Sequence, residues 1–358
     1  MPSTVTLFLA GDVMTGRGVD QILPHPGNPR LRERLVRDAR DYVALAERKN
    51  GPIPHPVGFD HPWGVALSVL DGAEPDVRIV NLETSVTTSP NYAPGKGIHY
   101  RMHPGNIGVL DIARIDVCAL ANNHVLDFGR RGLLETVDVL ETAGLHPVGA
   151  GRDDRRAWAP ATIPVGSGRV LVWSTGSASS GISRRSAAAP GRPGVALLPD
   201  LSDATAARVL DRIDAVRGPA DLAVISVHWG SNWGYDVPGD QVRFAHRLVD
   251  GGVDVVYGHS SHHPRPVEIH HGRPVLYGCG DLINDYEGIG GYERFRDDLR
   301  LLYLPVFAAD TRELRELRMV PVRARRMRLE HATREEAQWL RETLGMGGPS
   351  RHGVWITP

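Results

Sequence analysis

Five short apolar runs in this chain each end in a residue able to hold a metal or carry a proton. Leu7-Phe8-Leu9-Ala10-Gly11 leads into Asp12, Ile79-Val80-Asn81-Leu82 into Glu83, and Cys118-Ala119-Leu120-Ala121 into Asn122-Asn123-His124. Ala223 to Val227 leads into His228-Trp229-Gly230, and Val253 to Gly258 into His259, with His262 and His263 just beyond. Carboxylate, carboxamide and imidazole are donors that zinc, iron and manganese accept, and two neighbouring ions can share one carboxylate. Asp12 or Asn122 alone is explained as a helix N-cap, which calls for a side-chain oxygen at the same place. The five together point to one site, because the carboxyl ends of strands in open α/β sheets face a common crevice. No cysteine-rich spacing competes for a structural zinc.

Further residues carry two readings each. Arg17, five residues after Asp12, is an anion contact or a solvated turn residue. Asp127, three after His124, orients that imidazole or is a first-turn aspartate favoured by a helix dipole. Arg101 and His103 belong to a loop, Asp281 and Asn284 follow a strand within reach of the site, and Glu268 reads as a paired edge residue. Trp229 and Trp233 wall a cleft or fill the core.

These residues need a scaffold of parallel strands, and the pattern supplies one. Short apolar runs alternate with helical patterns, as in βαβ units. Helices are expected over Leu31–Arg48, Trp63–Leu70, Ile107–Ile115, Gly132–Ala143, Ala204–Val216, Gln241–Asp250 and Thr333–Leu344. Thr162–Val165 with Val170–Trp173, and Val267–Ile269 with Val275–Tyr277, read as hairpins. Residues 176–194, rich in Ser, Ala, Gly, Pro and Arg around Arg184-Arg185, read as a mobile surface loop. The tail from Gly345 reads as poorly ordered unless it docks.

In this order, Gly11-Asp12, Asn81-Leu82-Glu83, Ala121-Asn122-Asn123-His124 with Asp127 and Gly129, His228-Trp229-Gly230, Gly258-His259 with His262, and Leu276 to Asp281 resemble the motif set of CapA-like poly-γ-glutamate synthesis proteins. That family is in turn similar to the calcineurin-like metallophosphatases. The resemblance spans roughly residues 5 to 310. It implies an α/β (α+β) four-layer sandwich, two mixed β-sheets flanked by helices, filling residues 1–330 and followed by a C-terminal helix and tail over 331–358. It implies one or two divalent ions (Mn, Zn or Fe) held by Asp12, Glu83, Asn123, His228, His259 and His262. Glu83 would replace the bridging aspartate, and His124 would be the acid that protonates the leaving group. Two departures stand out: Met14 occupies the place of the histidine in Asp-x-His, and Gly-His-x-His is stretched to Gly258-His259-Ser260-Ser261-His262. Both put the two-ion count in question, since a thioether is a poor partner for a hard cation.

Three functions fit these residues: a metal-dependent hydrolase of an anionic phosphoester or γ-glutamyl amide, an accessory protein for a poly-γ-glutamate-like polymer, and an enzyme that makes or breaks an amide on a small metabolite. Composition narrows the field from outside. With 41% apolar and 23% charged residues the chain can bury a large core, and a net charge of −1 offers no field for nucleic acid or anionic membrane. Positive charge is almost all arginine; Lys49 and Lys96 are the two lysines. No run approaches the roughly 20 apolar residues of a membrane span, the N-terminus lacks the marks of a signal peptide, and Cys118 and Cys279 read as reduced packing residues, so a cytoplasmic protein is expected.

Overall fold

The computed structural model describes residues 4–346 and 354–356. Two mixed sheets lie face to face. The first runs Leu329–His331, Leu314–Ala324, Leu299–Ala308, Thr4–Val13, Val77–Leu82, Val117–Ala119 and His146–Val148, with Asp281–Ile283 also pairing with Thr4–Val13. The second runs Leu197–Leu198, Gly168–Ser177, Leu222–His228, Val255–His259, Arg273–Leu276 and Val267–His270, with Ala161–Val165 on Gly168–Ser177. In each sheet the strands that carry ligand-type residues are parallel, so their carboxyl ends share one edge.

The period of two along each strand builds the layers. Leu7, Leu9, Val77 and Ile79 of the first sheet meet Val170, Val172, Val224 and Val255 of the second in an inter-sheet core. Phe8, Ala10, Val80 and Cys118 point the other way, against helices that include Arg40–Asn50, Val65–Ala73 and Gly129–Thr142. Leu171, Ala223, Ile225 and Val227 pack outward on Asp203–Asp214 and Gly239–Asp250. The expected four-layer sandwich is therefore what these runs form. The last described helix, Arg334–Thr343, starts on a capping box between Thr333 and Glu336 and puts Leu340 and Leu344 into the inter-sheet core. The tail expected from Gly345 lies mostly outside the described residues; Val354–Ile356 pairs alongside Leu317–Met319.

Two local expectations are corrected. The helix expected over Leu31–Arg48 begins only at Arg40. Residues 30–38 instead close on themselves, with Leu31 N–H on the Arg37 carbonyl and Ala39 N–H on that of Pro29, and Leu35 stands 81% exposed. Glu33 is drawn inward to Arg17 and Tyr42, a tertiary pull that overrides a weak helical pattern. Residues 176–194 are built in rather than loose: Ser180 Oγ donates to the carbonyls of Ser177 and His228, Ile182 joins the core, and Gly194 pairs with Gly151. Among the described residues, no helix is long and apolar enough to cross a membrane.

Candidate metal centre

All five strand ends converge on one buried cluster. Asp12 belongs to two groups of ligand atoms, one with His228 and His259 and one with His262 and Asp281. His228 and His259 are register partners on adjacent parallel strands, and their Nδ1 atoms approach to 2.6 Å. His259 Nδ1 lies 3.9 Å from Asp12 Oδ1, and its Nε2 is 2.5 Å from Ser226 Oγ. The other nitrogen of His228 faces away: Nε2 is 3.0 Å from Asn123 Oδ1 and 3.8 Å from Glu83 Oε1. His228 thus presents a ring nitrogen to each half of the cluster.

Asp281 enters because its strand lies in register beside Asp12. That approach needs glycine. A Cβ on Gly11 would sit 1.6 Å from the Gly280 carbonyl oxygen, which accepts the Asp12 N–H at 2.9 Å. Met14, where the Asp-x-His pattern would place an imidazole, is fully buried, and Asp281 supplies a carboxylate next to Asp12. His262 lies 2.9 Å from Asp281 Oδ1 on one side and 3.0 Å from the Asn232 carboxamide on the other, while Asn284 donates to Asp281 Oδ2 at 2.5 Å. His263 is structural, since its Nε2 accepts the Gly234 N–H.

The electrostatics follow from burial. Loss of water lifts the Asp12 carboxyl to about 7, helped by the Asp281 carboxylate, and lifts Glu83 well above the usual range, helped by Asp12. Burial drives His259 down to about 3 and His228 well below its ordinary value. Burial also opposes charge on His262 and Asp281, but each stabilises the other, so His262 ends above its ordinary value and Asp281 below. Asn81 bridges Asp12 Oδ1 at 2.7 Å and Glu83 Oε2 at 3.1 Å, and buried Asp12 Oδ2 meets no donor apart from a proton shared with the Glu83 carboxyl. Carboxyls buried side by side are costly to ionise unless a cation meets them. Three imidazoles, three carboxylates and a carboxamide around that oxygen fit a divalent transition metal. Asp12, His228 and His259 would hold an ion in one group and Asp12, His262 and Asp281 in the other, while Glu83 and Asn123, expected as ligands from the sequence, stand at the second ring nitrogen of His228.

His124 stands apart from those groups. Its Nδ1 is 2.7 Å from Asp127 Oδ2 and its Nε2 faces Glu83 Oε1 at 3.8 Å. Burial holds its pKa down at about 4 despite Asp127, while His124 and Lys96 outweigh burial and keep Asp127 ionised. The resting imidazole is therefore neutral with Nδ1–H donated to Asp127, which leaves Nε2 as the free nitrogen. Asp127 also accepts the Tyr100 N–H at 2.7 Å. Lys96 was not singled out by the sequence reading, yet its ammonium donates to Asp127 Oδ1 and to the Asn123 carbonyl. The available signal was its rarity: one of two lysines in a chain that otherwise carries positive charge as arginine.

Arg17 is not a solvated turn residue, and the anions that it meets are carboxylates of the chain itself. Its side chain is buried, pairs with both carboxylate oxygens of Asp285, reaches Glu33 at 3.0 Å, and packs on the rings of Tyr42 and Tyr100. Arg101 donates to the carbonyls of Ser89 and Asn28, and Arg184 and Arg185 lie exposed on a short turn. His103 caps the turn at Pro104–Asn106, and Glu268 pairs with His246 and Tyr277 on its edge strand. Trp229 is core, whereas Trp233 walls a cleft, stacked on Tyr292 at 4.0 Å.

Comparison with known proteins finds relatives over most of the chain. A family model described as bacterial capsule synthesis protein PGA_cap matches residues 6–286. A probable polyglutamine synthesis accessory protein of Mycobacterium tuberculosis is 54% identical over 350 residues, covering 96% of this chain and 91% of its own. The PGA biosynthesis protein CapA of Bacillus subtilis is 29% identical over 224 residues, 62% of this chain and 56% of that protein. A solved phosphatase from Mycoplasma pneumoniae covers 90% of this chain and 95% of its own at 12% identity, with a TM-score of 0.49.

Proposed function

The chain belongs to the PGA_cap family of bacterial capsule synthesis proteins, and from that premise we propose that it is a metal-dependent hydrolase acting on an anionic phosphoester or γ-glutamyl-type amide. The observation that carries the reading is Asp12, fully buried and shared by two groups of ligand-type side chains. A divalent cation there supplies Lewis acidity, polarising a phosphoryl or carbonyl oxygen and acidifying water. The protein's own part is proton transfer and positioning. Hydrolysis bonds the water oxygen to phosphorus or carbonyl carbon and releases the leaving oxygen or nitrogen; His124 Nε2 takes the proton that the attacking water gives up and passes it to that leaving atom. Asp127 holds the tautomer and favours the imidazolium that forms; the developing charge on the leaving group then draws that proton. Lys96 keeps Asp127 ionised and fixed. Asn123 and Glu83 orient His228 from its far side.

A second reading follows from the tuberculosis relative, which is named as a probable accessory protein of polyglutamine synthesis. On that reading the same centre binds or handles a polyglutamate without cleaving it. A cytoplasmic location belongs to the proposal; free, buried Cys118 and Cys279 suit a reducing compartment. The test is elemental analysis of protein purified without chelator, followed by assay of the manganese-, zinc- or iron-loaded form on a phosphodiester, a phosphomonoester and a γ-glutamyl oligomer. At least one equivalent of metal and turnover of one substrate is the expected result. Metal with tight oligomer binding but no turnover selects the accessory reading, and metal-free protein that is fully active overturns both the centre and the mechanism.

A further inference from the structure

We propose that the substrate carries an apolar group beside the bond or group presented to the metal centre, and that this group lies in an aromatic cleft of about 550 Å³ opening at His262. The inference rests on the metal-centred reading above and adds the chemistry of the neighbouring subsite. Trp233, Tyr286, Tyr292, Ile98 and Leu35 line the cleft together with His262 itself.

The cleft is continuous with the cluster because three loops contribute to both, with residues 33–45 closing the far wall. The loop after Leu222–His228 gives Asn232 to His262 and Trp233 to the wall. The segment after Asp281–Ile283 gives Asn284 to Asp281, then Tyr286 and Tyr292 to the wall. The loop that places Lys96 on Asp127 places Ile98 in the cleft two residues later. A group bound at His262 therefore has this surface as its nearest neighbour.

The cleft lacks what a bare polyanion would require. Arg17 is the one guanidinium at its base, and Asp285 and Glu33 already neutralise it; Arg34 stands at the rim. Carboxylates laid along Trp233, Tyr292 and Ile98 would lose water without gaining partners. Apolar matter gains instead. Leu35 and Ile98, 81% and 43% exposed, are two of four exposed large apolar side chains among the described residues, and both lie at this cleft. An apolar wall with a few convergent polar groups at one end is the usual form of a small-molecule site.

The test compares two small anions that differ only in an apolar group. Methylphosphonate and phenylphosphonate are titrated into manganese-loaded protein, with affinity measured by calorimetry. Phenylphosphonate is expected to bind more tightly by about tenfold or more, the scale of burying one ring. Leu35→Asp and Ile98→Asp, at exposed positions where the fold tolerates charge, should bring the ratio of affinities to about one. Equal affinities in the unsubstituted protein would overturn the apolar subsite and leave the metal centre standing. Binding of neither phosphonate would count against the metal-centred reading, and the cleft is then decided on metal-free protein with anilinonaphthalene sulfonate. Saturable fluorescence lost in Ile98→Asp supports the subsite; its absence in the unsubstituted protein overturns it.

Discussion

Two clusters of histidine and carboxylate sit on the second sheet, and their surroundings differ more than their residues do. At the carboxyl edge lie His228 and His259 with Asp12 of the facing sheet, all three fully buried. On the outer side lie His246, Glu268 and His270, with Asp250 and His271 alongside. In the outer cluster both carboxylates are paired. His246 Nε2 is 3.0 Å from both Glu268 oxygens, Tyr277 OH donates to Glu268 at 2.6 Å, and His270 and His271 approach Asp250 at 2.9 and 3.1 Å. Asp250 and Glu268 also meet solvent, so water screens what remains. The inner cluster is shut off from solvent and sets Asp12 beside Asp281, which is why the Asp12 carboxyl is lifted to about 7. Residue type nominates a site, while burial of neighbouring carboxylates and imidazoles makes one.

The largest expected effect tests the chemistry of the inner region. His124→Asn should keep the metal but lower turnover by about two to four orders of magnitude, the scale of losing a proton-transfer group. Metal content and turnover per bound metal measure the two separately; lost metal with unchanged turnover would make His124 a ligand. Next comes the contrast itself. Asp12→Asn should weaken metal binding by more than about 100-fold, whereas His246→Ala should leave stoichiometry intact and change stability by no more than about 1 kcal/mol. Loss of the tightly held equivalent in His246→Ala would invert the comparison.

Smaller effects sharpen it. Lys96→Met removes the ammonium that fixes Asp127, and turnover should fall by about 10- to 100-fold with metal retained and the pH profile moved. An unmoved profile would reduce Lys96 to a loop anchor. The mildest effect is on pH. Asp12 is raised above its ordinary value, so metal-free protein keeps that proton up to about pH 7 and must release it to bind metal. His262, also raised above its ordinary value, must lose its proton as well, so affinity should fall by at least about tenfold per unit below pH 7, with proton release detectable by calorimetry in buffers of different ionisation enthalpy. A flat profile from pH 6 to 8 would remove Asp12 from the ligand set.

Much of the site was legible because its residues stand where local pattern changes. Asp12, Glu83, Asn123, His228 and His259 each sit at or just past the end of a parallel strand, so finding the strands locates the ligand-type residues together. Asp127 was readable as the orienting partner of His124 because three residues separate them. Arg17 was not readable, since its partner Asp285 is 268 residues away and its charge is met before any substrate arrives. The helix expected across Leu31–Arg48 failed for the same kind of reason: Glu33 is held by Arg17 and Tyr42, and no local periodicity encodes that pull.

What the sequence by itself determined, then, was the set of strands, their parallel sense and the ligand types at their ends, because strand periodicity and side-chain chemistry are local properties. Only the tertiary structure decided that Asp12 is shared by two groups, that Asp281 stands beside it in register, and that Lys96 secures Asp127. It also decided that the wall next to His262 is aromatic and nearly without free cations. Those outcomes depend on which distant segments pack together and how much water they exclude, and exclusion of water sets both the charge of a buried carboxylate and the character of the surface beside it.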